Sequence, residues 1–318
     1  MAKLKADVPA ATRSDALGVH SVDHFVLEVP DLELGRQFYA NFGLGVREVR
    51  SSLHLCAGED SHCWGILTEG SKKRLHSITF GAFEEDLAEF KKRLDQMGIR
   101  RLDPPRGFGS DGLWFRDIDD TLIEIRVAEK SSPNEKSPVS NPSPPPGVRG
   151  MPGRGEAPGV RPRRFSHILV FTRDVARAIN FYSSVLGLRL SDEAGVVAFM
   201  HGVHGSDHHV LAFAKSEGAG LHHTSWDVAS VQEIGLGAMR MAESGFAQGW
   251  GLGRHVLGSN YFHYIRDPWG SYAEYSSDID FIPCRMEWKS VSHNPEDAFY
   301  LWGPTPPADF AKNYEIGA

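Results

Sequence analysis

The chain is short of cysteine, of surplus positive charge and of long apolar runs. Its three cysteines, Cys56, Cys63 and Cys284, form no CxxC pair, which argues against a disulfide scaffold and a zinc ribbon. Acidic residues outnumber basic ones by 41 to 34, a formal net charge of −7. No basic stripe interleaved with aromatics appears, so no nucleic-acid surface is expected. No window of about 18 apolar residues occurs and no apolar signal region opens the chain, so no membrane segment is expected and the location reads as cytoplasmic.

What the chain does have is histidine, 15 of them in 318 residues. Its hydrophobic content of 41% and charged content of 24% are those of an ordinary soluble globular protein. The length fits two domains of about 130 residues each.

Two segments repeat. Residues 22–45, VDHFVLEVPDLELGRQFYANFGLG, resemble 165–188, FSHILVFTRDVARAINFYSSVLGL. Each holds a strand with a histidine (His24, His167), an Asp-led helix start, a Phe-Tyr pair on the helix and a closing Gly-Leu. The spacing is 143 residues (167 − 24), and it grows to 147 where His62 and His76 are matched to His209 and His223, then to 150 where Glu124 is matched to Glu274. A slowly growing offset is the mark of a duplicated unit that later took small insertions. Each unit reads as strand–helix–strand–strand–strand, twice over, with amphipathic helices expected at 84–98 and 229–245.

The expected architecture is α+β: tandem paired βαβββ modules form two similar domains, each a curved mixed sheet around a central cavity. The boundaries read as a tail at 1–19, a first domain at 20–129, a Pro- and Gly-rich linker at 130–164, a second domain at 165–281 and a C-terminal tail at 282–318. The aromatics of that last tail, Trp288 among them, suggest that it wraps over the second unit.

In the second unit His167, His223 and Glu274 fall on three different expected strands. Two imidazoles and a carboxylate with open positions form the facial set that suits non-heme Fe(II), and zinc or manganese would also accept it. A single strand histidine is more often a hydrogen-bonded structural residue; three potential ligands in register point to a metal. Nearby, His209 leads into apolar strand sequence as a candidate acid or base. His255 and Tyr264 precede Glu274 as candidate donors to a developing oxyanion. Taken singly, each of these three also has a plain structural account. His208 and His222 carry no assigned role.

The run Gly253–Tyr275, GRHVLGSNYFHYIRDPWGSYAEY, spaces a histidine, a tyrosine and a glutamate as H-x8-Y-x9-E. With the paired repeats and the three ligands, it resembles the type I extradiol ring-cleaving catechol dioxygenases of the vicinal oxygen chelate superfamily. The resemblance covers roughly 20–290 and is strongest over 165–281. It implies Fe(II), less often Mn(II), held by His167, His223 and Glu274. His209 would be the acid/base residue, and Tyr264 and His255 would position the substrate oxygens. The implied substrates are a catechol and O2, the product is a muconic semialdehyde, and the assembly is a homo-oligomer.

Within the same superfamily the alternative is a glyoxalase-like isomerase or thiol transferase, which usually builds its site from both halves and uses a second glutamate. A metal-free binding module would not need three ligands in register. The first unit keeps His24, His62, His76 and Glu124 but has Pro105 and Trp114 where His255 and Tyr264 stand. It is therefore expected to be a non-catalytic partner, with a second metal at His24, His76 and Glu124 as the competing expectation. Phe199, Trp226, Trp250, Phe262 and Trp288 are expected to wall the pocket, and Arg254 or Arg285 would pair a carboxylated substrate.

Overall fold

A computed structural model describes residues 13–58, 61–140 and 143–316. The first domain runs β1 (Ser21–Val29), α1 (Leu32–Asn41), β2 (Gly45–Val49), β3 (Ser52–Cys56) and β4 (Gly65–Glu69). It continues with β5 (Arg74–Ala82), α2 (Leu87–Gln96), β6 (Leu113–Arg116) and β7 (Leu122–Val127). The second domain runs β8 (Arg164–Thr172), α3 (Val175–Leu186), β9 (Arg189–Ala194), β10 (Val197–His201), β11 (Ser206–Asp207) and β12 (Leu211–Lys215). Then come β13 (Gly220–Asp227), α4 (Val231–Glu243), β14 (Gly249–Arg254), β15 (Tyr261–Arg266) and β16 (Tyr272–Ser277). The tail adds β17 (Phe281–Ile282), β18 (Val291–His293) and α5 (Pro295–Ala298). Two modules thus make each domain; the second module of the first domain has two strands after its helix, with Leu102 adding only a bridge to Trp114, and the architecture is α+β. Among the described residues no helix is long and apolar enough to cross a membrane.

Local chemistry starts the helices where the sequence suggests. Asp31 caps α1 by accepting from the Leu34 amide, Asp174 caps α3 through the Arg177 amide, and Ser230 caps α4 through the Glu233 amide. Gly187 closes α3 at φ +75°, a left-handed position that glycine occupies without a Cβ penalty.

The first sheet has the order β2-β3-β4-β1-β5-β7-β6 and the second β14-β15-β16-β13-β8-β12-β10-β9-β18. In both, the strand that opens each module lies at the centre, and mixed pairing carries the sheet outward from there. One continuous apolar core joins the domains. Trp226 stands edge-on to Phe165 at 5.2 Å and to Phe25 of the first domain at 6.5 Å. Phe42 stacks on Tyr275 at 3.8 Å, and the Tyr275 hydroxyl donates to the Phe42 carbonyl at 2.9 Å.

Trp226 is therefore core and not pocket wall. Strand alternation explains this: the next residue back, Ser225, belongs to the row that carries His167 and Glu274, and Trp226 turns the other way.

The register also corrects the matching of the two halves. Ser225 pairs with His167 and with Glu274, as Thr79 pairs with His24 and with Glu124. His223 pairs with Leu169 as Ser77 pairs with Val26, so Ser77 and not His76 stands at the place of His223. Likewise the Ile168 amide donates to Val210 and the Phe25 amide to Trp64, which puts Cys63 and not His62 at the place of His209. The offset in this stretch is 146 (223 − 77), one less than the sequence matching assumed.

Candidate metal centre and its pocket

Adjacent strands gather the site from distant sequence. Facing residues on neighbouring strands sit about 5 Å apart, so one row across the sheet brings together His167 (β8), Ser225 (β13), Glu274 (β16) and Tyr264 (β15). Trp250 (β14) ends the row and stacks on Tyr264 at 5.5 Å. His223 lies two residues along β13.

His167, His223 and Glu274 are all buried, and their donor atoms lie within 4.8 Å of one another. Glu274 Oε2 is 3.2 Å from His167 Nε2 and 3.7 Å from His223 Nε2. His223 Nε2 and Glu274 Oε2 have no hydrogen-bond partner among the described residues although both are buried. Such atoms are costly unless something satisfies them. Three lone pairs converging on one point suit a divalent cation. Burial raises the Glu274 carboxyl, but the neighbouring His167 ring outweighs it and holds it below the usual range. Glu274 Oε1 accepts from Asn260 Nδ2 at 3.0 Å, and the same amide group donates to Ser276. Asn260 is a partner that the sequence reading missed.

Two histidine doublets do more than the sequence reading assigned them. The register of β8 on β13 slips between Leu221 and His223, so His222 is the extra residue of a bulge. That slip breaks the alternation and lets both rings face the same way. His222 Nε2 meets the Phe310 carbonyl at 2.9 Å, and its Nδ1 meets His223 Nδ1 at 2.7 Å. In the second doublet, His208 Nε2 meets Asp192 Oδ2 at 2.9 Å and its Nδ1 meets His209 Nδ1 at 3.1 Å. The His209 ring lies 4.0 Å from that of His167 and 4.8 Å from Phe199. Burial, with help from His167 and His208, lowers the His209 pKa well below its ordinary value, so the ring is neutral at pH 7.

His255 and Tyr264 are a linked pair and not two separate donors. His255 Nδ1 donates to the Phe299 carbonyl at 2.8 Å, because a carbonyl only accepts. Its Nε2 then accepts from the Tyr264 hydroxyl at 2.8 Å. Burial, then the Glu274 charge, raises Tyr264 well above the ordinary phenol range.

These groups border a cavity of about 440 Å³, within the usual span for small-molecule sites. Its apolar wall includes Leu169, Val197, Phe199, Leu257, Phe299 and Phe310, and among the described residues no lysine or arginine lines it. Of the expected wall residues only Phe199 lines it. Trp250 and Phe262 lie behind Tyr264 and His255 in a small aromatic cluster. Trp288 braces His208 at 5.6 Å and donates to the Ser191 carbonyl. The tail closes the pocket through Pro295, Ala298, Phe299 and Phe310 instead. Arg254 turns away to Asp278 at 3.0 Å and lies over Tyr261, and Arg285 is exposed.

The first domain has a larger cavity, about 930 Å³, bordered by His24, His62, Cys63 and Glu124. There the row holds Thr79, whose hydroxyl donates to Glu124 at 2.8 Å, and His24 Nδ1 pairs with Asp23 at 2.7 Å. Burial pushes the Cys63 thiol up to about 12. Among the described residues no second cluster of three metal donors forms. The competing expectation of a second metal at His24, His76 and Glu124 finds no such cluster there.

Residues 164–275 match the Glyoxalase/Bleomycin resistance protein/Dioxygenase superfamily. The chain is similar to Metapyrocatechase 2 of Cupriavidus necator, at 46% identity over 99% of this chain and 98% of that one. Its fold is similar to that of a homoprotocatechuate 2,3-dioxygenase variant from B. fuscum, with a TM-score of 0.75, 20% identity and coverage of 93% and 82%. It is also similar to a Mn(II)-bound glyoxalase from Novosphingobium aromaticivorans, with a TM-score of 0.73, 24% identity and coverage of 91% and 93%. The two structures differ in chemistry, so at these identities they speak for the fold alone. The full-length relative decides the family: this chain belongs to the type I extradiol ring-cleaving catechol dioxygenases.

Proposed function

We propose that this protein is a metal-dependent extradiol dioxygenase that cleaves uncharged catechols beside the diol, adding both atoms of O2 to give a muconic semialdehyde. Fe(II) is the metal in this reading, with Mn(II) the alternative, held by His167, His223 and Glu274. When bound, it supplies a template that holds the diol and O2 together and passes electron density between them. One observation carries the reading: the unpartnered His223 Nε2 and Glu274 Oε2 face a neutral histidine in an apolar pocket.

The remaining chemistry belongs to side chains. Asp192 accepts from His208 Nε2, and in this reading the other nitrogen of His208, Nδ1, accepts from His209 Nδ1–H. His209 Nε2 is then the atom left with a lone pair, ready to take a catechol proton and return it later. Tyr264, its hydroxyl hydrogen donated in a hydrogen bond to His255, offers its oxygen as an acceptor to a substrate hydroxyl. The apolar wall and the tail residues Phe299 and Phe310 exclude water and favour an uncharged ring.

The test is anaerobic loading of metal-free protein with Fe(II) or Mn(II), then catechol and air. A ring-cleavage chromophore with one O2 consumed per catechol supports the proposal; no oxygen uptake across a panel of alkyl- and aryl-substituted catechols rejects it.

A further inference from the structure

We propose that the C-terminal strap, residues 309–315, sets the tautomer of the ligand histidine His223 and so controls how tightly the metal is held, with the first domain clamping the strap. The inference rests on the metal reading above.

The proton positions follow from one fixed acceptor. The Phe310 carbonyl cannot donate, so His222 Nε2 carries a hydrogen and donates to it at 2.9 Å. Neutral His222 then has only a lone pair at Nδ1. His223 Nδ1, 2.7 Å away, must donate to it. That leaves His223 Nε2 without a hydrogen, and Nε2 is the buried, unpartnered atom aimed at Glu274 Oε2. Were the Phe310 carbonyl removed, His222 would be free to invert, and a hydrogen on His223 Nε2 would block the metal. Ligating histidines depend in general on the partner of their other nitrogen, and losing that partner typically costs 10–100-fold in affinity.

The strap is held where it must be. The Phe310 ring packs on His222 at 4.8 Å and on Tyr264 and Tyr272 at 5.0 Å. Asp309 pairs with Arg266 of β15 at 2.6 Å, and Asn313 donates to the Gly218 and Ala219 carbonyls at 3.0 Å. Glu315 is the clamp between domains. Its carboxylate accepts from the Leu75 amide of β5 at 2.9 Å and from the Leu221 amide of β13 at 2.8 Å, equivalent positions of the two repeats. Lys73, only 6% exposed and on the first domain's side, closes the clamp at 2.7 Å. The first domain, which assembles no metal cluster of its own among the described residues, thereby reaches a ligand of the second.

The experiment is a Co(II) titration of the metal-free full chain, followed by visible absorption, with melting points of the metal-free and loaded forms. Wild type and His222→Phe are compared, with Glu274→Ala as the variant that lacks a ligand. His222→Phe is expected to raise the Co(II) Kd by about 10–100-fold and to shrink the metal-induced gain in melting point. A merely structural His222 lowers both melting points equally and leaves Kd within twofold, which overturns the proposal. Wild type that takes up no Co(II), or Glu274→Ala that binds it as wild type does, overturns the metal reading as well. Should His222→Phe fail to fold, Glu315→Gln carries the test: weaker Co(II) binding supports the strap, and an unchanged Kd overturns it.

Discussion

Replacing Asp192 by Asn should switch off His209 without touching the metal site. Asp192 is fixed on both sides: Oδ1 accepts from the Val291 backbone amide at 2.9 Å and Oδ2 accepts from His208 at 2.9 Å. A backbone N–H is always a donor, so an asparagine there turns its oxygen toward Val291. Its NH2 then faces His208 Nε2. To accept it, His208 must move its hydrogen to Nδ1, and His209 must in turn accept at Nδ1 and carry its hydrogen on Nε2. The base becomes a donor in the resting enzyme. A positioned acid–base group contributes about 10²–10⁴-fold, which is about 3–5.5 kcal/mol of barrier. Steady-state oxygen uptake with saturating catechol should therefore fall by that factor in Asp192→Asn, with KM for catechol and metal content nearly unchanged. A turnover within threefold of wild type would refute the relay, and loss of metal would show that Asp192 acts on the ligands instead.

Other outcomes follow from the same geometry. His209→Phe should keep metal and catechol binding, measured by titration, yet lose most turnover; unchanged turnover would remove His209 from the mechanism. Because no lysine or arginine among the described residues lines the pocket, 4-methylcatechol should exceed 3,4-dihydroxybenzoate in kcat/KM by at least about tenfold, the scale of 1.4 kcal/mol for an unpaired charge; equal values would contradict the apolar wall. Trp226→Ala, at the buried junction of Phe25 and Phe165, should cost about 3–5 kcal/mol in urea unfolding, and a loss under 1 kcal/mol would place the junction outside the core. His20 is fully buried, and burial lowers its pKa to about 4. The unfolded chain binds that proton below pH 6.5 and the folded chain does not. Stability from this group is therefore complete above pH 6.5 and falls by about 3 kcal/mol as the pH drops to 4; His20→Gln should flatten that slope, and an identical slope would remove His20 as its source.

The repeat, the four-module architecture and the convergence of His167, His223 and Glu274 were legible because strand period and spacing carry them. The finer matching was not. A single-residue difference in the growing offset hid Ser77 and Cys63 behind the nearby His76 and His62, and only pairing register separates them. The doublets at 208–209 and 222–223 looked redundant because neighbours on a strand face opposite ways; the bulge at His222 cancels that rule locally. The doublets themselves were the available signal, since a ring nitrogen held by a second histidine has a fixed tautomer once that histidine is anchored by an acceptor of its own. The wall was misassigned for a different reason. Apolarity alone does not say which face of a strand a tryptophan takes, and Trp226, Trp250 and Trp288 all serve behind the site.

The most direct test of the central claim is the fate of labelled oxygen. Fe(II)-loaded protein given catechol under ¹⁸O2 should yield a ring-opened semialdehyde carrying both labelled atoms, with none formed by Glu274→Ala. A product with an intact ring, or one free of label, would contradict the account.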